Sequence, residues 1–317
     1  MVIAQNGPGI TGLVTPIKTA YWNHTPLLLV TPQAANKTMG QGGFQEVEQM
    51  NLFKDMVCYQ EEVRDPSRMA EVLNRVIEKA FRGSAPAQIN VPRDYWTQVI
   101  DVELPPIVRF ERQGGGKDAI DSAAKLLSKA KFPVILSGAG VVLGGAINEC
   151  KKLAEKLDAP VCNGYQHNDS FPGSHPLAVG PLGYNGSKAA MELISKADVV
   201  LALGTRLNPF STLPGYGVDY WPKNATIIQV DMNPDRIGLT KKVTVGICGD
   251  AKQVAQQILD KLSSDAGNSG RDERKNLIHK TKSAWLQTLA GLDHEEDDPG
   301  TVWNKEARER DKDRMSP

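Results

Sequence analysis

Short apolar, β-branched runs alternate with stretches of helical period along most of the chain. Pro26 to Thr31 reads as a buried strand and Val57 to Val63 as a second. Met69, Leu73, Val76 and Ile77 then fall on one helical face. Asp65 stands at the N-cap, Pro66 in the first turn and Gly83 at the stop. Ala87 to Val91 reads as a third strand. A second block repeats the alternation. Helices are predicted over Asp118 to Lys129, Ile147 to Leu157, Lys188 to Lys196 and Ala251 to Leu262, the last capped by Asp250. Strands are predicted over Pro133 to Leu136, Pro160 to Cys162, Val199 to Leu203, Thr226 to Val230 and Val243 to Ile247. Strands separated by helices imply βαβ units and parallel sheets, so the fold class is α/β with two parallel-sheet units.

Between the blocks, Glu103-Leu104-Pro105-Pro106 and Gln113-Gly114-Gly115-Gly116 bracket a stretch without period. We read 1–97 as a first domain, 98–114 as a linker and 115–265 as a complete Rossmann-like domain. Residues 266–317 read as a charged helical linker. Leu277, Ile278, Lys282, Trp285, Leu286 and Leu289 mark one amphipathic helix there, and an acidic run (293–298) and a mixed run (305–314) follow it.

Composition narrows the function classes. Lys+Arg and Asp+Glu both number 37, so charge supplies no argument for nucleic acid or an anionic membrane. No apolar run approaches the roughly 20 residues of a membrane span. The four cysteines, Cys58, Cys150, Cys162 and Cys248, lack metal or disulfide spacing and point to a reducing compartment, the cytoplasm. Cys162 and Cys248 sit in apolar runs and read as core residues.

Two segments carry candidate chemistry. Asn6-Gly7-Pro8-Gly9 lies between a short apolar run and a helical stretch. Its glycines either let backbone N–H groups approach a ligand or make a tight strand-to-helix turn. Gly42-Gly43-Phe44-Gln45-Glu46 lies between a strand and a helix. Gln45 can donate and accept at once, which suits an aminopyrimidine edge or an oxyanion; the alternative is capping by Gln45 or Glu46. Other motifs read as structural. Gly138-Ala139-Gly140 imitates a dinucleotide turn, but the next strand ends in Cys162-Asn163-Gly164 without the expected acid. Asp231 reads as the cap of the turn at Asn233-Pro234, and Asp250 as a helix cap. His167, Asp169 and His175 read as a polar loop rather than a metal site, which needs a third close ligand.

Taken together, the order of Gly7-Pro8-Gly9, the strand from Pro26, Phe44-Gln45-Glu46 and Asn90-Val91-Pro92-Arg93-Asp94 resembles the acetolactate-synthase-like family of thiamine-diphosphate-dependent enzymes. Gly180-Pro181-Leu182-Gly183-Tyr184-Asn185-Gly186, Leu207-Asn208-Pro209-Phe210 and Tyr220-Trp221-Pro222 add to the likeness. The resemblance implies that 1–97 is an incomplete pyrimidine-binding domain and 115–265 the central domain. The activating glutamate and the Mg²⁺-diphosphate motif would then lie in segments outside this sequence. It implies thiamine diphosphate and Mg²⁺ as cofactors, and sulfoacetaldehyde and phosphate as small-molecule substrates. Gly7, Pro8 and Gly9 would line the pyrimidine. Phe44 and Gln45 would reach the reacting centre from a partner subunit of a homodimer or homotetramer. Family members that bind FAD carry acids and a second Arg where this chain has Arg206-Leu207-Asn208-Pro209-Phe210, which argues against FAD. Two alternatives stay open: an acetolactate synthase, and a non-catalytic nucleotide-binding module.

Overall fold

The computed structural model describes residues 1–106 and 111–292. The acidic and mixed runs beyond 292 lie outside them. The chain divides into two compact units, Met1–Phe110 and Glu111–Pro317.

The first unit contains β1 (Val2–Ile3), α1 (Pro8–Thr11), α2 (Val14–Trp22), β2 (Leu27–Gln33), α3 (Gln49–Phe53), β3 (Tyr59–Glu62), α4 (Met69–Gly83) and β4 (Pro86–Pro92). Its four strands run parallel in the order β1-β2-β4-β3. α4 follows the predicted apolar stripe, with Val72, Val76 and Ala80 buried against Val30, Ile89 and Val91. Asp65 accepts from Ser67 N as expected, but a short 3₁₀ turn over 66–68 precedes the helix. Ser84, in the left-handed region at φ 46°, ends it one residue beyond the predicted glycine stop. A second apolar cluster, Ile10, Ile17, Leu29, Phe53 and Val57, packs α1, α2 and α3 against the sheet.

The second unit contains α5 (Lys117–Lys129), β5 (Pro133–Ser137), α6 (Ala139–Leu143), α7 (Ile147–Leu157), β6 (Val161–Asn163), β7 (Ala178–Pro181), α8 (Lys188–Ile194), β8 (Val199–Leu203), β9 (Thr226–Asp231), β10 (Val245–Cys248), α9 (Ala251–Lys261) and α10 (Arg271–Leu292). Its six strands run parallel in the order β10-β9-β8-β5-β6-β7. The β5, β8 and β9 runs are near-continuous Val, Ile and Leu, as a strand covered on both faces requires. The sequence pattern missed β7 because Ala178-Val179-Gly180-Pro181 is short and ends in strand breakers. Cys162 is buried as expected, whereas Cys248 is only half-buried, with Sγ directed at Met232 O.

The glycines after β5 serve backbone packing. Gly140 N donates to Gly204 O at 2.8 Å, and a Cβ on Gly204 would lie 2.7 Å from Gly140 Cα. Gly204 also sits at φ 61°. Gly204→Ala is expected to cost about 2–3 kcal/mol, from the left-handed backbone and the overlap together. A urea titration of the variant that matched the parent would refute this.

Both predicted linkers are partly built into this unit. Arg112 pairs with Asp250 at 2.8 Å, Gln113 O accepts from Asp250 N, and Gln257 Nε2 donates to Gly114 O. At the other end, Arg274 of α10 is 1% exposed. Its guanidinium donates to the carbonyls of Asp158, Ser269, Leu157, Gly267 and Lys131. Further along, Lys282 donates to His175 O and Pro176 O, and Trp285 meets Tyr216 edge-on. The reading of 266–317 as a charged linker did not include this docking, because charge counts do not distinguish a solvated Arg from one whose five donors are all satisfied inside the protein.

Candidate functional site

The two glycine segments of the first unit meet. β1 leads into Gly7, at φ 70°, and α1 begins at Pro8. A Cβ on Gly7 would lie 2.8 Å from both Cβ and O of Gln45, so only glycine allows this approach. Gln45 itself is left-handed at φ 59°. That conformation costs a non-glycine residue about 1–2 kcal/mol and persists only where its surroundings hold it. Here Asn6 Nδ2 donates to Gln45 O at 3.1 Å, and Gln5 Nε2 donates to Gln45 Oε1 at 3.0 Å. Glu46 closes the loop by accepting from Gly40 N at 2.6 Å and Gly43 N at 3.1 Å. Capping thus falls to Glu46, which ties down its own loop rather than a helix.

The remaining expected residues lie at the surface. Phe44 is 78% exposed, Pro8 is exposed, and Gly9 packs half-buried against Ala4. Among the described residues Gln45 Nε2 finds no protein acceptor, and Gly40 and Gly42 have open space where a Cβ would stand. A free amide donor, an exposed aromatic ring and an open glycine loop give this face hydrogen-bonding and stacking capacity that no protein group uses among the described residues.

Behind the turn lies a polar network that the sequence reading did not single out. Thr31, Gln49, Gln88 and Asn90 are all fully buried. Gln49 Oε1 accepts from Gly7 N at 3.3 Å, while Gln49 Nε2 donates to Pro32 O at 2.7 Å and Asn90 Oδ1 at 3.3 Å. Thr31 Oγ1 donates to Asn90 Oδ1, and Asn90 Nδ2 donates to Glu62 Oε2, each at 2.7 Å. Gln60 Nε2 donates to Gln88 Oε1, and Gln88 Nε2 to Thr31 Oγ1. A signal existed. In register, Thr31 sits beside Asn90 and Asn90 beside Glu62, while Gln60 sits beside Gln88. Polar side chains at every second position of strands otherwise read as buried form a stripe on one face.

In the second unit the two aspartates cap as their positions predict. Asp250 accepts from the N–H groups of Lys252 and Gln253. Asp250→Ala should therefore destabilise by about 1–2 kcal/mol in a thermal melt, through loss of the cap. Asp231 accepts from Asn233 N at 2.8 Å, closing its turn, and burial pushes its carboxyl up despite that bond. His167 approaches Asp169 at 3.6 Å, but His175 turns to Glu155 at 3.2 Å. Among the described residues no group of three His, Cys, Asp or Glu side chains is placed to hold a metal.

Comparison with known proteins defines the class. The thiamine pyrophosphate enzyme N-terminal TPP binding domain matches residues 1–52, and the thiamine pyrophosphate enzyme central domain matches 120–258. The chain belongs to the thiamine pyrophosphate enzyme family. Over all 317 residues it is 78% identical to a probable sulfoacetaldehyde acetyltransferase of Rhizobium meliloti (strain 1021), covering 54% of that protein. It is 54% identical to the sulfoacetaldehyde acetyltransferase of Castellaniella defragrans over 302 residues, 94% of this chain and 50% of that protein. Identity to a probable acetolactate synthase large subunit of Methanocaldococcus jannaschii is 33% over 298 residues, 92% of this chain and 48% of that one. The chain spans about half the length of the curated relatives it matches.

Proposed function

We propose that the intact protein is a thiamine-diphosphate-dependent acyltransferase that converts sulfoacetaldehyde and phosphate into acetyl phosphate and sulfite. The observation that carries this reading is the gap between 78% identity to a sulfoacetaldehyde acetyltransferase and 33% to an acetolactate synthase. The FAD reading gains nothing from the fold. Asn208, where FAD-binding members have an acid, uses its Oδ1 to accept from Phe210 N.

When bound, thiamine diphosphate supplies the nucleophilic carbon and the electron sink. This chain's part is orientation. The turn at Gly7, Pro8 and Gly9 lines the aminopyrimidine. Gln45 Nε2 donates to the oxygen that gains negative charge, and a fixed donor of that kind requires little reorganisation at the moment of reaction. Phe44 stands beside Gln45 in the same loop, and in a homodimer or homotetramer that loop faces a reacting centre shared with the partner subunit. We assign the diphosphate and its Mg²⁺ no ligand among the described residues. Four cysteines that stand free support a cytoplasmic location.

The test uses the full-length enzyme with thiamine diphosphate, Mg²⁺, sulfoacetaldehyde and phosphate. Acetyl phosphate and sulfite should appear in equal amounts. Acetolactate formed from pyruvate, with no acetyl phosphate from sulfoacetaldehyde, overturns the reading.

A further inference from the structure

Gln45 holds a strained backbone and has one free donor, so something must keep it in place. Its own bonds come from Gln5 and Asn6, which immediately precede Gly7 on the chain. Those two residues belong to the turn that joins β1 to α1, so their place follows the place of that turn. The turn in turn meets the sheet at the Gly7 N–H, which donates to Gln49 Oε1. Gln49 opens α3, is fully buried and spends both ends of its amide. Oxygen faces the turn, and nitrogen faces Pro32 O at the C-terminal end of β2 and Asn90 Oδ1 of β4. Asn90 is fixed in its turn by Thr31 and Glu62. A continuous set of hydrogen bonds thus leads from the parallel sheet to the residue that carries the free donor.

We propose that Gln49 is a positioning residue, which fixes the Gly7 turn on the sheet and through that turn sets the place of Gln45. The inference rests on the reading of Gln45 as a donor at the reacting centre. A hydrophobic residue at 49 would fill the same space, as Phe53 does one turn later, so packing alone does not account for a fully buried amide. Burial of an amide is favourable only when its partners are present, and here each partner belongs either to the turn or to the strands.

The test takes the full-length enzyme as parent, with Gln49→Met, Gln45→Ala and the double variant. Met preserves length and volume and removes all three bonds. In the parent background Gln49→Met should lower kcat by about 10²-fold, as a misplaced group does, with KM little changed. In the Gln45→Ala background the same change should cost only a few-fold, because the group it positions is gone. Hydrogen exchange of peptides covering 4–12 and 40–48 should rise about tenfold, while the 86–92 peptide keeps its protection. If Gln49→Met does not fold, Gln49→Glu replaces it. That variant keeps an acceptor for Gly7 N and loses the donor to Pro32 and Asn90, so a smaller drop of the same pattern is expected. A lower melting temperature with unchanged kcat overturns the proposal, and so does an equal loss of kcat in both backgrounds. A parent that makes no acetyl phosphate defeats the functional reading instead. The exchange measurement then decides the positioning alone: a rise confined to the two peptides supports it, and unchanged exchange at 40–48 refutes it.

Discussion

Arg274→Met should be among the most destabilising single substitutions in the second unit, at about 3–5 kcal/mol. Removing a buried group that satisfies several partners leaves those partners unpaired, and that penalty exceeds the net worth of the bonds themselves. Five carbonyls, from Lys131, Leu157, Asp158, Gly267 and Ser269, lose their donor at once. Burial draws the guanidinium below its ordinary basicity, although Asp158 nearby opposes this. The group remains a cation at any pH at which the protein folds. Met matches the apolar stem and none of the donors. On a unit of this size the loss corresponds to a drop in Tm of about 10 °C or more. Lys275→Ala, next to Arg274 on α10, removes an ion pair of 3.3 Å between a half-exposed lysine and Asp158 at the end of α7, and is the control. It should change stability by less than about 1 kcal/mol. Equal melting temperatures for the two variants would show that Arg274 contributes no more than a surface ion pair.

Gln45→Ala in the full-length enzyme should lower kcat by about 10²–10³-fold, the loss typical of removing one donor from a developing oxyanion. Stability should change little or even rise. The side chain is only half-buried, and its single bond is to Gln5, itself exposed. Alanine in the same left-handed conformation keeps the strain and the contact with Gly7, so the backbone of the loop has no reason to move. Turnover and a thermal melt on the same preparation check both halves. A retained kcat with a lower Tm would return Gln45 to a purely structural role.

The fold was legible in the sequence wherever burial imposes a period. β8 and α7 stand at the residues their apolar runs predict. Asp250 caps α9 because an aspartate before an apolar-periodic run has one inexpensive way to satisfy its oxygens. What escaped was of two kinds. Short elements such as α6 (Ala139–Leu143) and β7 carry too few residues for a period to show. The docking of α10 centres on an arginine with three partners, at Lys131, Leu157 and Asp158, more than a hundred residues away, and no local pattern encodes that. The candidate site divides in the same way. The glycines and the Phe44-Gln45-Glu46 loop are contiguous and readable. Their convergence, with Gly7 against the backbone of Gln45, is a tertiary fact. So is the division of labour in which Glu46 closes the loop and leaves Gln45 with an unused donor. Gln49 was hidden because a buried glutamine runs against the usual exposure of that residue type.

Arg274 also bears on the order in which the second unit can mature. Translation delivers β5, α7 and all six strands before it delivers residue 274. Until then, the carbonyls of Lys131, Leu157 and Asp158 lack the side chain that finally binds them. Domains tend to fold as units while the chain emerges. The nascent sheet of this unit can therefore assemble early, but its α5–β5 and α7–β6 corners stay wet until α10 arrives. A ribosome stalled before residue 274 should hold a protease-sensitive sheet, and one stalled well beyond it a resistant one.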